Sequence, residues 1–119
     1  MAMEVLQDLV DELSQYVKEE KTRRFELFIK QIRHTVRAGD IVHLNKSVHI
    51  SDRNRNQVPV AQMRIKFVYQ KPPYDTVVAL GQYRNYKDFI YLGLSNMKSV
   101  YRRGRLVLDL QKLRNEMGL

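Results

Sequence analysis

The chain of 119 residues contains no cysteine and no tryptophan. The missing thiols exclude a disulfide framework, a thiolate zinc site and a cysteine nucleophile. Five glycines and three prolines occur. The glycines spell neither GxxxxGK[ST] nor GxGxxG, so no phosphate loop of those kinds is encoded. No apolar run approaches the roughly 20 residues that a membrane-spanning helix needs. The opening stretch MAMEVLQDLVDEL is acidic and amphipathic, unlike the basic and then apolar start of a secretory signal. These absences lead to the expectation of a soluble protein without a membrane partner, cytoplasmic or otherwise intracellular.

Acidic charge is scarce after the first 20 residues. Those 20 hold six acids and one base, a net of −5, and the remaining 99 hold 20 bases and seven acids, a net of +13, giving the overall +8. Such a body attracts polyanions. Hydrophobic residues make up 44%, too many for a disordered chain. Residues 1–119 suit a single domain that buries roughly two-thirds of its unfolded surface.

Periodicity divides the chain in two. From Met3 to Lys18, the residues Val5, Leu6, Leu9, Val10, Leu13, Tyr16 and Val17 recur at three- and four-residue spacing, one stripe of a helix. Thr22 is a candidate cap for a second helix with Phe25, Phe28, Ile29, Ile32 and Val36 on its apolar side, stopped at Gly39. One long helix from Met3 to Arg37 is the alternative. The stripe of the first helix has two readings: packing on the sheet, which is favoured, or a homodimer through the N-terminal helix.

After Gly39 the period becomes two. Val42, Leu44, Val48 and Ile50 alternate with polar residues, and Met63, Ile65, Phe67 and Tyr69 are expected on one side of a second strand with Gln62, Arg64, Lys66 and Val68 on the other. Lys71–Pro72–Pro73 ends that strand. DTVVAL and DFIYLGL read as further strands joined by the loop GQYRNYK. LSNMKSVYRRGR reads as a loop, with one more short strand near Ser99–Tyr101. LVLDLQKLRNEM fits either a strand or a helix. The expected fold is therefore α+β: an N-terminal helix or helical pair, an antiparallel sheet of about four to five strands, and a short C-terminal helix.

No catalytic constellation emerges. His43 and His49 are six residues apart on one strand, roughly 20 Å at about 3.3 Å per residue, too far to share an ion. The carboxylates beyond the first helix are scattered. A nuclease in which Asp75, Asp88 and Lys87 converge is the weakest reading. We expect no catalytic residue, no metal site and no cofactor. What stands above background is the basic and aromatic content: Arg53, Arg55, Arg64, Lys66, Tyr83, Arg84, Tyr86, Lys87, Lys98, Tyr101, Arg102, Arg103 and Arg105. Lysine and arginine neutralise phosphates and release counterions, and tyrosine rings stack on unpaired bases. YRRGR, Tyr101 to Arg105, also suits an extended arm along a phosphate backbone. The expectation is a non-enzymatic protein whose partner is nucleic acid, DNA or RNA. A protein-interaction or assembly module with a basic face is the alternative.

Overall fold

The computed structural model describes residues 2–51, 54–71, 73–74 and 76–119. The element order is α1 (Ala2–Thr35), β1 (Ile41–Ser51), β2 (Gln57–Val68), β3 (Val77–Gln82), β4 (Phe89–Gly93), β5 (Met97–Arg102), β6 (Arg105–Asp109) and α2 (Leu110–Glu116). All strand pairs are antiparallel, in the order β4-β3-β2-β1-β5-β6. The α+β expectation holds, with six strands instead of four to five.

The helical pair is one helix. Nothing at Glu19–Thr22 breaks it: no glycine or proline occurs there, and Glu20 accepts hydrogen bonds from Arg23 at 2.7 Å and Arg24 at 3.3 Å, one turn on. The Arg23 contact, reinforced by Arg24, lowers the pKa of the Glu20 carboxyl from its usual value. Thr22 is thus an interior residue, not a cap. The helix ends at Thr35, before the Arg37–Asp40 turn that contains Gly39.

The two halves of α1 differ. Phe28, Ile29, Ile32 and Val36 are buried in the core. By contrast, Val5, Leu6, Leu9, Val10, Leu13, Tyr16 and Val17 are 47–65% exposed. The favoured sequence reading, in which this stripe packs on the sheet, is overturned. At 100° per residue the N-terminal stripe lies roughly 120° round the helix from the core-facing one, so a straight helix cannot present both to the same sheet. A helix of 34 residues is about 50 Å long, and its N-terminal half forms an arm on a molecule 71 Å in its longest dimension.

The core lies between the C-terminal half of α1 and the sheet. Val42, Leu44, Ile50, Val60, Met63, Ile65, Val78, Ala79, Leu92, Met97, Val100 and Leu108 supply its sheet side, and Leu110 of α2 joins them. The sheet is curled. Gly93 of β4 and Met97 of β5 are four residues apart, at most about 15 Å, yet β3, β2 and β1 lie between their strands, about 19 Å across a flat sheet. Hydrogen bonds at the crossing close the curl: Asn45 N to Asn96 O (2.9 Å) and Leu94 N to Thr76 O (3.2 Å). Gly93 is required there, because a Cβ at that position would collide with the Thr76 carbonyl.

Two further sequence expectations change. The RRGR stretch is neither loop nor arm. Arg103 and Gly104 have φ of 53° and 77°, the paired positive values of a type I′ turn, which matches the twist of the β5–β6 hairpin. LVLDLQKLRNEM is both strand and helix: β6 ends at Asp109, whose carboxylate accepts from Lys112 N at 3.1 Å and caps α2.

Candidate nucleic-acid interface

An antiparallel sheet with helices on one side leaves its other face open. Strand register defines what that face carries. The residues Leu106, Tyr101, Ile41, Arg64, Gln82 and Phe89 pair in succession from β6 to β4, so they form one row across all six strands, about 24 Å long at about 4.8 Å per strand. Arg64 stands in its middle. A parallel row brings Phe67, Leu80 and Tyr91 side by side.

Phe67 reaches this row through a β-bulge. Ile65 faces Gly81 and Phe67 faces Leu80, leaving Lys66 as the extra residue. The bulge breaks the simple alternation expected for Met63–Tyr69. Met63 and Ile65 are buried, whereas Phe67 is 51% exposed and Val68 packs on the core instead. Phe67 meets Tyr69 edge to face at 5.1 Å between ring centroids. Tyr69 meets Tyr91 at 6.1 Å, and Tyr91 meets Tyr74 at 5.8 Å. Phe89, Tyr91 and Tyr74 are each about half to two-thirds exposed. Together with Leu80, Lys87 and Asp88, the residues Tyr69, Phe89 and Tyr91 line a shallow groove. The result is a contiguous aromatic surface in the β2–β3–β4 half of the open face, larger and more accessible than any scattered apolar residue would give.

The cations expected from sequence do not converge on a single patch. Arg64 and Lys66 are exposed and lie beside the aromatic surface. Arg84 and Lys87 lie on the β3–β4 loop, where with Ser51, Asn54, Asn85, Tyr86 and Asp88 they line an open cleft of about 900 Å³. Lys87 borders both the cleft and the aromatic groove. Arg55 is exposed in the β1–β2 turn at φ 63°, and Arg53 lies outside the described residues. Arg103 and Arg105 are exposed at the β5–β6 hairpin, on the opposite edge of the sheet from β4. Lys98 borders a pocket with Phe28, Leu110 and Arg114, which belong to the helical side.

The four remaining residues make contacts within the fold. Arg102 is engaged within the chain: its guanidinium donates to both carboxylate oxygens of Asp40 at 2.8 Å and to Thr35 O at 2.9 Å. Asp40 is buried and also accepts from Arg37 N at 2.8 Å. The pair therefore ties the end of α1 to β5, and the Asp40 hydrogen bond raises the Arg102 pKa above its usual value. Tyr83 and Tyr86 pack against the core and meet each other edge to face at 5.4 Å, with Arg84 5.2 Å from the Tyr83 ring centre. Tyr101 is half-buried with its ring 4.5 Å from that of His43.

Sequence reasoning missed the aromatic surface, placing Phe67 and Tyr69 on the core side. A signal was present. In KFVYQ the three consecutive apolar residues Phe67–Val68–Tyr69 cannot all obey an alternation of period two, which marks a place where the strand changes phase. Among the described residues, no group of three or more histidine, aspartate or glutamate side chains is placed to hold a metal ion; Asp75 lies outside them. No described helix is long and apolar enough to cross a membrane.

No family model, curated protein or solved structure matches the chain.

Proposed function

We propose that the protein is a non-enzymatic nucleic-acid-binding protein, acting inside the cell, whose open sheet face takes unpaired strands of DNA or RNA. The observation that carries this reading is the surface of Phe67, Tyr69, Tyr74, Phe89 and Tyr91 with Arg64, Lys66 and Lys87 beside it. Aromatic rings left half-exposed on a wet sheet face contribute little to folding, and bases stacked on them would cover that apolar area. Each stacked base is worth about 1–3 kcal/mol. The nearby cations would meet the phosphates between the bases. Duplex DNA is the poorer match, because its bases are already stacked on one another and their faces are inaccessible.

This reading narrows the set of residues inferred from sequence. Arg64, Lys66, Arg84 and Lys87 are assigned to the phosphate backbone at the aromatic half of the face. Arg103 and Arg105 lie at the far edge, where they would contact only a strand long enough to cross the sheet. Homodimerisation through α1 would present two such faces. The assembly-module reading draws support from one observation, the uncovered apolar stripe of α1, and it is compatible with nucleic-acid binding by the sheet.

The test is a titration of the full chain with oligothymidine, a duplex, single-stranded RNA and heparin at two ionic strengths. Single strands are expected to bind more tightly than the duplex and heparin. With three to five phosphates neutralised, the logarithm of affinity should fall with the logarithm of salt at a slope of roughly −2 to −3.5. A heparin affinity equal to that for single strands would reduce the face to unspecific charge attraction and overturn the proposal.

A further inference from the structure

The arm of α1 carries a seam that nothing in its own chain covers. Val10, Val17 and Arg24 occupy one position of a seven-residue repeat, and Leu6, Leu13, Glu20 and Leu27 occupy the position three residues after it. These are the a and d sites of a coiled coil, with Val at a (Val10, Val17) and Leu at d (Leu6, Leu13) along residues 6–17, the combination that favours two parallel strands. Leu27 is 50% exposed even though its neighbours Phe28 and Ile29 are buried, so the seam continues past the point where the helix meets the sheet.

We propose that this face binds a second copy of the same chain as a parallel, in-register two-stranded coil. Three observations select that occupant. The first is charge. Asp8, Asp11, Glu12 and Glu19 fall on positions b, c and f, away from the seam, while the flanking e and g positions of residues 7–23 are Gln7, Leu9, Ser14, Tyr16, Lys21 and Arg23. Outside the Glu20 layer, the strongly acidic arm therefore meets its copy without acid facing acid. The second is area. Leu6, Leu9, Val10, Leu13, Tyr16 and Val17, at a, d and g, are 47–65% exposed and present on the order of 600 Å² per chain, comparable with the roughly 800 Å² that each partner of a stable complex covers. Helical stability in proteins comes mostly from packing of an apolar face, which the stripe of the arm does not find within its own chain.

The third observation is the polar layer that interrupts the seam. Glu20 and Arg24 sit at successive d and a sites and are hydrogen-bonded within the chain at 3.3 Å. In-register parallel pairing sets Glu20 on Glu20 and Arg24 on Arg24 in adjacent layers, so that each carboxylate has the partner's Arg24 one layer on. Polar core positions of this kind fix register at a cost in stability. Antiparallel pairing that covers residues 6–17 would instead set Leu6 against Val17 and Glu20 against position 3, and leave its charge without a counterpart.

The inference is independent of what the sheet face binds, and the absence of cysteine from the native sequence makes it directly testable. Light scattering on the full chain should give twice the 14.2 kDa of one chain. The variant Leu13→Cys, at a d site, should form a disulfide-linked dimer under mild oxidation, whereas Lys18→Cys, on the opposite side of the helix, should cross-link far more slowly. The double variant Leu6→Asp/Leu13→Asp should be monomeric while its sheet unfolds cooperatively on heating, and its open sheet face should retain nucleic-acid affinity. A monomeric wild-type chain at tens of micromolar, a trimer or tetramer, or equal cross-linking of the two cysteine variants would overturn the proposal.

Discussion

Truncating Phe67 and Tyr91 to alanine, singly and together, separates a binding role for the open face from a folding role. Both rings are about half exposed, at 51% and 47%. Fully burying a side chain such as Phe is worth about 1.5–3 kcal/mol, so removing a half-covered ring should destabilise the fold by about 1 kcal/mol, or roughly 3–6 °C in melting temperature for a domain of this size. Loss of one stacked base should cost about 1–3 kcal/mol of binding, a reduction of roughly 5- to 150-fold in affinity. Because both rings touch Tyr69 or its immediate surroundings, the two losses need not add. The assay is fluorescence anisotropy of a labelled oligothymidine at several salt concentrations. The ring variants should lose affinity with no change in salt slope, since no counterion-releasing group has been removed, whereas Arg64→Ala should flatten the slope by roughly 0.7. Unchanged oligothymidine affinity in folded Phe67→Ala and Tyr91→Ala variants would refute the stacking argument.

Two further outcomes follow from the geometry. Arg102→Ala should lower the melting temperature, because it strands the buried Asp40 carboxylate that fastens the end of α1 to β5, while Arg103→Ala, at the exposed turn, should leave thermal unfolding unchanged. Gly93→Ala should destabilise the fold by several times the effect of an ordinary surface substitution, since its Cβ would strike the Thr76 carbonyl that anchors the β4–β5 crossing; chemical denaturation of the two proteins measures it.

Residues whose local preference agreed with the tertiary structure were legible in the sequence. Val42, Leu44 and Ile50 alternate and are buried, and Phe28, Ile32 and Val36 repeat at helical spacing and are buried. The hydrophobic stripe of residues 5–17 was equally plain, but periodicity records only that a stripe exists, not what covers it. Phe67 escaped because a single extra residue, Lys66, reverses the side on which every later side chain of the strand falls. The role of Arg102 escaped because its partner Asp40 is 62 residues away in sequence; an arginine in a basic cluster and an arginine in a buried ion pair look identical until the chain folds. The β5–β6 turn was signalled by Gly104 alone, because arginine seldom takes the positive φ that Arg103 holds, and the surrounding run of arginines hid the hairpin within an apparent basic arm.

Photo-cross-linking of the full chain to a thiouridine-substituted single strand, with the attached residues located by mass spectrometry, tests most directly whether the open face engages unpaired bases. Adducts concentrated on Phe67, Tyr69, Tyr74, Phe89 and Tyr91 are the predicted result. Adducts confined to the β5–β6 hairpin or to Tyr16 on the helical arm, with none on the aromatic surface, would contradict it.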